Sequence, residues 1–76
     1  MPRCYFDIWD GVSATDTEGA EFPTYEAACD EALATLGQIA KDVLASKPFE
    51  KLVIDVRDGD KVVFTASLSL RIEQKA

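Results

Sequence analysis

The chain has 76 residues, 47% of them hydrophobic and 29% charged, so it holds one domain, 1–76, with a single modest core. It contains no histidine, carries a net charge of −6 and has a sequence pI near 4.4. These values exclude imidazole chemistry and argue against nucleic acid and anionic membranes as partners, because both select basic surfaces. No apolar run approaches the roughly 20 residues of a membrane helix and no secretory signal is evident, so the expected location is cytoplasmic.

The first element is a strand. Cys4, Phe6 and Ile8 alternate with Arg3, Tyr5, Asp7 and Trp9, the period of a half-buried β-strand. Asp10-Gly11 is a hairpin signal, since glycine accepts the positive φ of a tight turn. Val12 to Asp16 then reads as a short return strand at the sheet edge. Asp16-Thr17-Glu18-Gly19 forms a second turn and Glu21-Phe22-Pro23 an extended lead-in.

Thr24 is the predicted cap of a helix that ends near Ser46, before Pro48. Cys29, Ala32, Leu33, Leu36, Ile39, Ala40 and Val43 fall at three- and four-residue spacings and predict its buried stripe. Two strands follow. Leu52, Ile54 and Val56 alternate with Val53, Asp55 and Arg57, and Asp58-Gly59-Asp60 makes a tight turn. Val62, Phe64, Ala66, Leu68, Leu70 and Ile72 then alternate with polar or small residues along the longest strand, Val63 falling on the opposite side to Phe64.

The expected fold is therefore α+β, in the order β-β-α-β-β, with a mainly antiparallel sheet of three to four strands and one helix packed on one face. Strand order stays open between an all-antiparallel 2-1-3-4 sheet and a 2-1-4-3 sheet with one parallel pair. The predicted core draws on Cys4, Phe6, Ile8, Leu33, Leu36, Ile39, Val43, Leu52, Ile54, Val56, Phe64, Leu68 and Leu70.

Chemistry-bearing motifs are scarce. Cys4 and Cys29 are too few and too far apart for a zinc site, and both fall on inward-facing positions as buried, reduced thiols. Asp55, Asp58, Asp60, Asp10, Asp16 and Glu18 surround turns without matching a calcium loop. With no phosphate loop and no nucleophile elbow, no catalytic, cofactor or metal residue is assigned, and the expected protein is not an enzyme.

One helix covers one side of a sheet, so the other side stays open. Tyr5, Trp9, Val53 and Val63 are the apolar members of that face and form the candidate interface. The expected partner is a second copy of the chain or another protein. The acid is also uneven: residues 1–31 carry a net −7, set by Arg3 against eight carboxylates, and the remainder carries +1. That front half suits a basic protein partner as the alternative.

The opening Met1-Pro2-Arg3-Cys4-Tyr5-Phe6-Asp7-Ile8-Trp9-Asp10-Gly11 resembles the MPRYFF-x-[IV]-x-DG start of a small bacterial family of unknown function, found in rhizobia and related alphaproteobacteria. Asp16 to Pro23 with Ala27-Ala28 and Glu31-Ala32, and Ile54-Asp55-Val56-Arg57-Asp58, are similar to its later segments. Cys4 and Trp9 depart from the pattern, where an aromatic and a polar or basic residue are usual. The resemblance implies a cytoplasmic bacterial domain with no assigned activity, cofactor or site residue. Thr24-x-x-Ala27-Ala28 after an acidic glycine turn also resembles the start of HicB-like antitoxins, which implies a toxin-binding module as the alternative.

Overall fold

The structure, a computed structural model, describes residues 1–46 and 51–75. Strand β1 spans Arg3–Trp9, β2 Ser13–Ala14, β3 Ala20–Glu21, β4 Lys51–Asp58 and β5 Lys61–Ser69, with helix α1 at Tyr25–Ser46 between β3 and β4. The sheet runs β2-β1-β4-β5, with β3 on the same edge of β1 as β2, and every pairing is antiparallel. This settles the strand order in favour of the all-antiparallel arrangement. The return strand expected over residues 12–16 is the two-residue β2, and the start of the expected lead-in adds a second short ladder, β3, so five strands are present among the described residues rather than three or four.

Turn chemistry fixes the strand ends. Gly11, Gly19 and Gly59 all have positive φ, the region glycine enters without steric penalty. At the helix start the Thr24 hydroxyl accepts the Ala27 N–H at 3.1 Å, and Glu26 stands in the positive first turn. The Tyr25 hydroxyl donates to the Asp58 carboxylate, which ties the start of α1 to the end of β4.

The buried cluster is Cys4, Ala28, Ala32, Leu36, Ala40, Leu52, Ile54 and Val56, with Phe6, Ile8, Phe22, Ile39, Val43, Phe64, Ala66 and Leu70 packed around it. Phe6 and Phe22 stack with ring centroids 5.7 Å apart. Helix α1 therefore meets the sheet through three alanines and one leucine at four-residue steps. Small side chains let α1 pack its Ala28, Ala32, Leu36 and Ala40 line on the sheet, and two residues of the predicted stripe turn outward: Leu33 is 54% exposed and Cys29 only half-buried. On β5, Leu68 is 40% exposed because it lies opposite Leu52 on the outermost strand. These are corrections to the expected core. Pro48 lies outside the described residues.

The regular pairing of β4 with β5 breaks once. Val56 lies opposite Phe64, but Arg57 lies opposite Val62, so Val63 is an extra residue in a β-bulge. The bulge exchanges two expected positions: Val62 joins Arg57 on the open face, 49% exposed, and Val63 packs against the core cluster.

The alanine contact makes a direct prediction. Ala32→Leu forces α1 off the sheet and lowers stability in urea unfolding by about 1–3 kcal/mol. Ala34→Leu, on the exposed side of the same helix, stays within about 0.5 kcal/mol of the parent.

Candidate functional site

Three cross-strand rows lie on the open face. Tyr5, Arg57 and Val62 form one, Asp7, Asp55 and Thr65 the next, and Trp9, Val53 and Ser67 the third. Asp7 and Asp55 are direct neighbours, an unfavourable pair unless each carboxylate is engaged elsewhere. Both are. The Thr65 hydroxyl donates to Asp55 at 2.8 Å, and Arg57 Nε donates to Asp7 at 2.8 Å.

Arg57 does more than neutralise Asp7. Its remaining guanidinium nitrogens donate to the main-chain carbonyls of Asp16 at 2.6 Å and Gly59 at 2.9 Å. Its central carbon sits 4.6 Å from the centroid of the Tyr5 ring, a cation–π contact. One planar, five-donor group thus joins β1, the 15–19 segment and the β4–β5 turn.

Asp16 completes the assembly from the other side. One of its carboxylate oxygens accepts the N–H groups of Glu18 and Gly19, both at 3.0 Å, which closes the turn. The other accepts the Phe6 N–H at 3.1 Å, and the Asp16 N–H in turn donates to Asp7 at 3.0 Å. Between β2 and β3 the returning chain leaves the edge of β1. The Asp16 carboxylate fills the gap there, accepting an N–H that no strand reaches.

The carboxyls respond as this geometry requires. The Arg57 hydrogen bond holds Asp7 below the ordinary carboxylate range, and the Gly19 N–H does the same for Asp16. Burial pushes the Cys4 thiol up, with the Asp58 charge adding to it, so Cys4 is a poor nucleophile.

The four candidate interface residues separate. Trp9 and Val53 stay together as a direct pair, with Trp9 44% exposed. Tyr5 is half-buried, held by Arg57 and by Gly19, where an added Cβ would come within 2.7 Å of its ring. Val63 turns to the core through the bulge. Sequence reasoning placed Asp7 and Arg57 on this face without joining them to Asp16. The usable signal was Asp16-x-Glu18-Gly19, an aspartate positioned to bond its own turn.

The fold and this face define an α+β domain with one helix over an open antiparallel sheet, locked on its far side by an arginine–aspartate network. A family model described as Domain of unknown function (DUF6894) matches residues 3–69, and the chain belongs to that family. Comparison with curated proteins finds no match, and comparison with solved structures finds none.

Two predictions follow the network. Asp7 and Asp16 titrate lower folded than the roughly pH 4 of an unfolded carboxyl, so their stabilisation is complete above that value and is lost as the pH falls through their folded pKa values. The thermal midpoint of the parent therefore drops on acidification below about pH 4, and Asp16→Asn shows a lower midpoint at neutral pH with a shallower acid limb. Gly19 and Gly59 share a similar φ, near 68° and 61°, but only Gly19 faces a ring. Gly19→Ala should lose more stability than Gly59→Ala, by about 1 kcal/mol or more in paired denaturation curves.

Proposed function

We propose that the domain is a non-enzymatic, cytoplasmic protein-interaction module that self-associates through its sheet. Its accessible surface supports this. Apolar side chains of β5 and its continuation stand exposed: Val62 at 49%, Leu68 at 40% and Ile72 at 73%. A second copy would bury such surface at no cost in new sequence.

The two free cysteines suit a reducing compartment, and among the described residues no helix is long and apolar enough to cross a membrane. A basic partner drawn to the acidic front half is less well supported, because Asp7 and Asp16 already bind Arg57 and the main chain.

Sedimentation equilibrium checks the proposal. The expected result is a weight-average mass that rises with concentration from 8.3 kDa towards twice that value. A monomer mass at every concentration overturns self-association.

A further inference from the structure

We propose that β5 pairs antiparallel with β5 of a second copy, about a two-fold axis at Ser67, so that two sheets become one. This rests on the self-association proposed above and names the surface that carries it.

The direction of the main-chain groups comes first. In an antiparallel ladder both polar groups of a residue point to the same neighbouring strand, and successive residues alternate. The Phe6 N–H points to Asp16, away from β4. The bonds from Phe22 N to Pro2 O at 2.9 Å and from Asp10 N to Val12 O at 3.3 Å keep the same parity along β1. Tyr5, Asp7 and Trp9 therefore bond across to β4. By alternation Leu52, Ile54 and Val56 bond to Leu68, Ala66 and Phe64 on β5. That leaves the N–H and C=O of Thr65, Ser67 and Ser69 aimed outward. Strand β5 is last in the sheet, and no turn or loop hydrogen bond among the described residues reaches these groups.

The two edges of the sheet are treated differently. On the β1 edge a carboxylate is brought in to satisfy one N–H. On the β5 edge three consecutive outward residues lie in Thr65-Ala66-Ser67-Leu68-Ser69, which has no charge and no proline. Edges meant to stay single usually carry such protection.

The occupant is set by self-complementarity. An axis at Ser67 pairs Ser67 with Ser67 of the partner subunit and Thr65 with Ser69 of the partner subunit, so every outward N–H and C=O of the three residues meets an acceptor or donor. An axis at Thr65 would instead require the bulged Val63, whose alternation is broken. On the helix side the Ser67 axis sets the exposed Leu68 against Ala66 of the partner subunit and Leu70 against Phe64 of the partner subunit. Leu70 and Ile72 continue the apolar alternation of β5 beyond Ser69, which pairs with Lys51 of β4. A neighbouring β5 gives that continuation a strand to lie along.

Amide hydrogen exchange and sedimentation of the whole chain test the register. In concentrated protein the amides of Thr65, Ser67 and Ser69 should exchange about tenfold or more slower than in dilute protein. Leu68→Lys should remain folded by circular dichroism and raise the dissociation constant about tenfold or more, whereas Trp9→Ala should still dimerise. Ser67→Lys and Ser67→Glu should each be monomeric alone and pair when mixed, because the axis sets each charge against its own copy. A dimer whose three amides stay fast, or one lost in Trp9→Ala and kept in Leu68→Lys, overturns the edge pairing while leaving self-association standing. A monomer at every concentration overturns both.

Discussion

The contact on which the far side of the sheet depends is the guanidinium of Arg57. Asp7 and Asp55 stand opposite each other on neighbouring strands, and that pairing is tolerable because Arg57 binds one and Thr65 the other. The same guanidinium reaches the Asp16 carbonyl and the Gly59 carbonyl. Two turns distant in sequence, at 16–19 and 58–60, are thus tied to one side chain. Lysine could not reproduce this, since a single ammonium has no planar fork to serve a carboxylate, two carbonyls and an aromatic face at once.

From that contact the fate of the β1 edge follows. With its carbonyl held by Arg57, Asp16 stands beside β1, and its carboxylate is placed to accept the Phe6 N–H. The segment after the first hairpin can then touch β1 at two short ladders, β2 and β3, and skip the middle without leaving a main-chain donor unmet. Gly19 is needed in the same place for two reasons. Its φ of +68° closes the Asp16 turn, and its missing Cβ leaves room for the Tyr5 ring.

What could be read from the residues alone follows this division. Elements governed by periodicity were legible: the alternation of Cys4, Phe6 and Ile8, the Thr24 cap, and Leu52, Ile54 and Val56 all place β1, α1 and β4 where the structure has them. Features set by contacts between distant segments were not. Leu33 reads as core by spacing, yet α1 turns Ala28 and Ala32 to the sheet, because small side chains allow a close approach. The bulge at Val63 leaves no mark on an alternating run, and it moves one of the four candidate interface residues off the open face. Tyr5 stays on that face but is half-covered there by a partner 52 residues away in sequence, which no local pattern encodes.

The two sheet edges then carry different meanings. Closing the β1 edge takes two short strands, a carboxylate and a positive-φ glycine, a large share of a chain this short. The β5 edge receives no such treatment between Thr65 and Ser69, and its bulge sits at the end nearer the β4–β5 turn. A bulge at that end does not blunt the edge but bounds it, because regular alternation starts at Phe64 and continues through Leu70 into the tail. The one stretch of edge left regular is symmetric about its middle serine in the types of side chain it presents. Hydroxyl residues at 65, 67 and 69 flank the alternative apolar positions at 66 and 68. A strand with that symmetry is a fit partner for itself. The far-side network then acquires a second consequence: it satisfies the β1 edge locally, so that among the described residues the proposed pairing falls to the regular stretch of β5.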